Sequence, residues 1–128
     1  MTGPWVWVAA DVVGAIHDRQ LAEHGGGEGV RDPGLLASAL ARPENAVAYA
    51  TPDAPDLAAA YAFGICRNHP FVDGNKRTAW VVARLFLALN GCSLSFDPAE
   101  TVVTVEALAA GTLDEAQLAA WFRARIRG

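Results

Sequence analysis

An all-α fold is predicted by three features of this 128-residue sequence. Alanine and the helix formers Leu, Arg, Glu and Gln are abundant, apolar residues recur at helical spacing, and helix caps punctuate the chain. The length points to one domain over residues 1–128. A chain of this size buries roughly two-thirds of its unfolded surface, enough for a core without disulfides or metals. Hydrophobic residues make up 52% and charged residues 19%, a globular rather than a disordered composition.

Taken in order, Val12, Val13, Ile16 and Leu21 recur at helical spacing after Ala9, and Gly25-Gly26-Gly27 ends this first helix. A glycine-rich loop runs to Gly29. Asp32-Pro33 reads as an N-cap followed by proline at the first helical position; Leu35, Leu36 and Leu40 form the apolar side and Pro43 is the stop. Residues 44–55, with Thr51, Pro52, Asp53 and Pro55, read as a mobile surface segment. A third helix is predicted from Asp56 to Asn68. A fourth spans Asn75 to Asn90 with Gly91 beyond its end, and its apolar residues lie nearly all round, as in a buried central helix. Asp97-Pro98 opens a fifth helix closed by Gly111, and Thr112 with Glu115 has capping-box spacing for the last. Ser93 to Phe96 alternates like a short strand, with Trp5 to Val8 as a candidate partner. The expected architecture is a compact bundle of about six helices around a central hydrophobic helix, with one short β pairing as an option.

Charge narrows the partners. The formal net charge is -4, which repels nucleic-acid backbones at long range. Lys76, Arg77 and Arg84 form a local basic cluster that leaves a nucleotide open, while Arg123, Arg125 and Arg127 read as cations at a helix C-terminus. Cys66 and Cys92 form no CxxC pair, so a cysteine zinc site is not indicated. The apolar stretch Trp5 to Ala10 lacks a basic flank and is interrupted by Asp11, unlike a signal peptide. No apolar run approaches the length of a membrane span. The expectation is a soluble cytoplasmic protein without direct membrane or nucleic-acid contact.

The chemistry concentrates in the loop His69-Pro70-Phe71-Val72-Asp73-Gly74-Asn75-Lys76-Arg77. This loop leads into a helix N-terminus, where free amides and the positive dipole end favour phosphate. Gly74 leaves room for the backbone to curl around an anion. Asn75, Lys76 and Arg77 add donors there, Arg77 as a fork for two phosphate oxygens. Asp73 is a hard oxygen ligand suited to Mg²⁺ beside phosphates. His69 is the loop side chain able to accept a proton near neutral pH, and Phe71 would anchor the loop to the core. Base, metal ligand and anion cradle are the parts of a phosphoryl- or nucleotidyl-transfer site. Singly, each residue has a plainer reading: a histidine ending a helix, an Asp-Gly turn, an asparagine N-cap. Two cations on the positive end of a dipole are nonetheless unfavourable unless an anion joins them. His17, flanked by Val13 and Leu21 at four-residue spacing, reads as a buried structural histidine. Arg67 and Arg84 could reach the site or pair in solvent.

The run HPFVDGNKR resembles the Fic/Doc signature HxFx[DE]GNxR at His69, Phe71, Asp73, Gly74, Asn75 and Arg77. Ile16-His17-Asp18, Gly25-Gly26, Asp32-Pro33-Gly34, and the stretch from Phe86-Leu87 to Asn90-Gly91 are similar to the death-on-curing (Doc) branch, so the resemblance covers nearly the whole chain. Fic AMP-transferases typically carry glycine where this chain has Lys76 and a second arginine where it has Trp80; both differences match Doc. The resemblance therefore implies a toxin of a toxin–antitoxin pair: a protein kinase using ATP and Mg²⁺ to phosphorylate a protein hydroxyl, with elongation factor Tu as target and translation arrest as outcome. It implies His69 as the base, Asp73 as the catalytic and Mg²⁺-binding carboxylate, and Gly74, Asn75, Lys76 and Arg77 as the nucleotide- and phosphate-binding group. Residues 44–55 correspond to the family's target-docking flap. The inhibitory pattern [ST]xxxE[GN] is absent from this sequence, because His24 and Leu40 stand four residues before Glu28-Gly29 and Glu44-Asn45. Inhibition would then come in trans from an antitoxin. The alternatives are a Fic-type AMP-transferase and a non-catalytic binding module.

Overall fold

The computed structural model describes residues 5–127. It contains six helices, α1 (Ala10–His24), α2 (Pro33–Tyr49), α3 (Ala54–Asn68), α4 (Asn75–Leu89), α5 (Pro98–Ala110) and α6 (Glu115–Arg125), and two short strands, β1 (Ser93–Leu94) and β2 (Ile126–Arg127). This is the compact all-α, Fic-type architecture predicted from the sequence.

Aspartate opens four of the helices. The side chains of Asp32, Asp53, Asp97 and Asp114 accept from the backbone N–H groups of Leu35, Asp56, Ala99 and Gln117, each cap contributing about 1 kcal/mol. The last of these differs from expectation. Asp114 with Gln117 forms the capping box of α6, not Thr112 with Glu115. Thr112 Oγ1 instead donates to Ala107 O at 3.2 Å, closing the end of α5.

Helix α2 does not stop at Pro43 but continues through it to Tyr49. A proline inside a helix deprives the carbonyl four residues back of its donor and costs about 3 kcal/mol. Here that carbonyl belongs to Ala39, which lies over Gly64 of α3, where an added Cβ would meet Ala39 Cα and O at 3.2 Å. The Pro43 ring is fully buried, and Ala46 and Val47 beyond it pack on the core. This burial offsets the missing bond, and the segment predicted as mobile over 44–55 shrinks to the connection 50–53 between α2 and α3.

The helix at the centre is α3 rather than α4. Helices α2, α4, α5 and α6 all pack against α3. Ala58, Ala59, Ala60 and Ala62 are buried around it along with Leu57, Tyr61 and Ile65. Small side chains let four neighbours approach one helix at close range. Helix α4 buries Thr78, Ala79, Val82, Ala83, Phe86 and Leu87 but leaves Lys76, Arg77 and Arg84 exposed. Its Trp80 stacks on Phe122 and meets Phe96 and Trp121 edge-on, which fastens α4 to α6.

The strand pairing also has another partner than expected. Ser93 and Leu94 pair antiparallel with Arg127 and Ile126, and Ser95 N–H donates to Arg125 O at 2.9 Å. The segment 5–8 cannot serve, because its polar groups are engaged elsewhere. Val6 exchanges two 2.9 Å bonds with the Asn90 amide, and Val8 N–H donates to the Tyr61 hydroxyl at 3.0 Å.

Two C-terminal cations join helices instead of merely complementing a dipole. Arg123 forks onto Asp53 and also reaches Asp56 at 2.9 Å, tying the end of α6 to the start of α3. The Arg123 guanidinium holds the Asp53 carboxyl down at about 2. Arg125 pairs with Glu100 of α5 and caps the Trp121 carbonyl.

Candidate active site

The loop between α3 and α4 is fixed from three sides. Phe71 is 1% exposed, and the buried His17 ring of α1 stacks on it with centroids 3.8 Å apart. His17 Nε2 lies 2.8 Å from Asp73 O. A carbonyl only accepts, so Nε2 carries the proton. Asn75 clasps the Phe71 peptide unit twice: its Oδ1 accepts from Phe71 N–H and its Nδ2 donates to Phe71 O, both at 3.0 Å. From the α1–α2 connection, Val30 forms a bridge with Phe71, and Val72 N–H donates to Gly29 O at 3.1 Å.

These contacts place His69, Asp73, Gly74, Lys76, Arg77 and Trp80 along one cleft of about 540 Å³, whose far wall is Thr101, Val102, Val105 and Glu106 of α5. At its floor lies the N-terminus of α4. Gly74 precedes the helix in the left-handed region (φ 76°), and no side chain caps it. The amides of Asn75, Lys76 and Arg77 thus have no acceptor among the described residues. Uncapped first-turn amides facing a cleft form an anion site.

The side chains divide differently from the sequence expectation. Asn75, expected as a phosphate donor, is buried, with its Oδ1 accepting from Phe71 N–H and its Nδ2 donating to Phe71 O; its backbone N–H lies in the uncapped first turn of α4. Lys76 Nζ pairs with Glu106 Oε1 at 2.7 Å. One of the two cations expected to need an outside anion therefore has a carboxylate of its own. Arg77 has no side-chain partner among the described residues, so the mismatch with the dipole persists there. Arg84 does not join them: it lies over the Phe96 and Trp80 rings, and Arg67 lies over Phe63, outside the cleft lining. Phe71 is the buried anchor of the loop, and His69 is exposed on the cleft.

Asp73 sits at the rim. Its Oδ1 accepts from Gly74 N–H at 2.9 Å and its Oδ2 faces Gly27 N–H at 3.4 Å. A Cβ on Gly26 would come within 2.9 Å of that oxygen, so the glycine run after α1 gives the carboxylate its space. No group of three His, Cys, Asp or Glu side chains suited to a metal occurs among the described residues. One carboxylate beside an anion site fits Mg²⁺, which binds few protein ligands together with substrate phosphates.

Sequence reasoning missed Gly26, Arg31 and Glu106. The glycine run is a visible signal, as a helix stop and in the family resemblance, but neither indicates the room it leaves for Asp73. Arg31, whose Nε donates to His69 O at 2.8 Å, and Glu106 carry no local signal, since only the packing of distant segments brings them to the loop.

The model of the Fic/DOC family matches residues 7–87, well over half of the chain, and the chain belongs to that family. It is 51% identical over 75 residues to Toxin Doc of Mycolicibacterium smegmatis, covering 57% of this chain and 58% of that protein. It is 37% identical over 94 residues to Protein kinase doc of Escherichia phage P1, covering 73% and 75%. Within the family the chain falls on the Doc branch. It spans less than two-thirds of the first relative's length. The α5 wall of the cleft, with Glu106, lies beyond the family match.

Proposed function

We propose that the chain is a toxin that transfers the γ-phosphoryl group of ATP to a protein hydroxyl. The observation that carries this reading is the uncapped N-terminus of α4 opening into a cleft that also holds His69, Asp73, Lys76 and Arg77. The triphosphate would lie on the amides of Asn75, Lys76 and Arg77, with Arg77 forking onto two oxygens. His69 would take the proton from the target hydroxyl. The hydroxyl oxygen would attack the γ-phosphorus, the bond from that phosphorus to the β,γ-bridging oxygen would break, and ADP would leave. Mg²⁺, held by Asp73 and the phosphates, would neutralise charge on the transferred group.

Phosphoryl rather than nucleotidyl transfer is supported by the relative whose name is a protein kinase. Lys76 and Trp80 also support it, since they stand where AMP-transferases of the family have glycine and arginine. Trp80 fills its place in the cleft wall as part of an aromatic cluster. The toxin name of one relative implies pairing with an antitoxin. On the family resemblance the target is elongation factor Tu, so the chain would act in the cytoplasm and stop translation. The test is whether the γ-phosphate of ATP moves to a protein hydroxyl in its presence. A non-catalytic role predicts instead that His69→Ala leaves toxicity in cells unchanged.

A further inference from the structure

His69 is the one non-glycine residue with positive φ among the described residues (φ 51°, ψ 54°). It ends α3, so the last carbonyls of that helix have no intrahelical donor. Arg31, from a distant segment, supplies a donor to the last of them, Asn68 O, and to the two carbonyls that follow the helix. Arg31 Nε donates to His69 O at 2.8 Å and Arg31 Nη2 donates to Asn68 O at 2.9 Å. Arg31 backbone N–H donates to Pro70 O at 2.7 Å. Three consecutive carbonyls, 68 to 70, are thus gripped by a single arginine. A guanidinium also complements the negative end of the α3 dipole.

A left-handed residue with a Cβ persists only where its surroundings over-determine it. The Arg31 fork fixes the planes of the peptides after Asn68 and His69, and these planes set the direction of the His69 Cα–Cβ bond into the cleft. We infer that Arg31 is a positioning residue for the His69 imidazole, acting through the backbone and touching no substrate. The inference rests on His69 being the base proposed above. Catalysis by an aimed base is sensitive to small displacements, so Arg31 would influence turnover more than nucleotide binding.

The test compares Arg31→Met and Arg31→Lys with the wild-type chain. Turnover with ATP and protein substrate, ATP affinity by calorimetry, the melting temperature and the His69 ¹³Cα chemical shift in the nucleotide-free protein are all measured. Arg31→Met should lower kcat by about tenfold to a hundredfold while the ATP Kd stays within about twofold. The His69 shift should move away from its left-handed value. Arg31→Lys, or millimolar guanidinium added to Arg31→Met, should restore part of kcat. An unchanged kcat in Arg31→Met overturns the inference, as does a fall in kcat explained by weaker ATP binding or a largely unfolded sample. If the wild-type chain transfers no phosphate, the kinase reading fails by itself. The chemical shift still decides the role of Arg31: an unmoved His69 signal in Arg31→Met refutes it.

Discussion

The Lys76 ammonium lies 2.7 Å from the Glu106 carboxylate, so the cleft carries its own counter-ion at the place where a phosphate would sit. Both side chains are about half exposed or more, at 48% and 61%. A pair of this kind stabilises by at most about 1 kcal/mol in water. A triphosphate that takes over Lys76 must displace Glu106. Glu106→Gln should therefore tighten ATP binding by about twofold to fivefold. Raising the salt concentration should shrink the difference between the two proteins. Calorimetric titration at two ionic strengths measures both effects.

The Asn75 clasp is a matter of stability before it is one of binding. Asn75→Ala leaves the buried Phe71 N–H and C=O without partners. That should cost about 2 kcal/mol or more, read as a lower midpoint in urea denaturation. Asn75→Asp keeps the acceptor for Phe71 N–H but turns the Nδ2 donor into an oxygen facing Phe71 O. It should be destabilised as well.

Acid should weaken the link between α6 and α3. The Asp53 carboxyl is lowered from 3.8 to about 2, chiefly by its hydrogen bonds from Arg123. A carboxyl depressed in the folded state contributes stability above its unfolded pKa and loses it as pH falls through the folded one. Asp53 is half exposed, so solvent screening holds the contribution to about 1 kcal/mol. Asp53→Asn keeps the cap of α3 but lacks the charge. The stability gap between it and the wild-type chain should be full near pH 5 and close between about pH 4 and pH 2. Urea denaturation across that range checks it.

Much of this architecture was legible from local chemistry. The Asp-Pro starts, the glycine ends and the loop from His69 to Arg77 each follow from a few adjacent residues, and the structure has helices with those starts and ends and a cleft along that loop. The misreadings share a cause. Pro43 stops a helix in isolation but not when its ring is buried and the next turn packs on the core. Helix α4 has the larger apolar side chains, yet α3 lies at the centre because alanines admit neighbours on every side. The clasp of the Asn75 amide on the Phe71 peptide is likewise invisible locally, because it depends on how the loop folds back. Arg31 and Glu106 reach the site only through tertiary packing, which no spacing rule encodes.

Transfer of the γ-phosphoryl group by this cleft is open to a direct test. The most direct measurement incubates the chain with Mg²⁺ and purified elongation factor Tu, using ATP labelled at the α- or the γ-phosphate in parallel, with His69→Ala as control. Label should reach the protein from γ-labelled ATP alone, and none should appear with His69→Ala. Label from the α position instead would contradict γ-phosphoryl transfer and turn the same site into a nucleotidyl transferase.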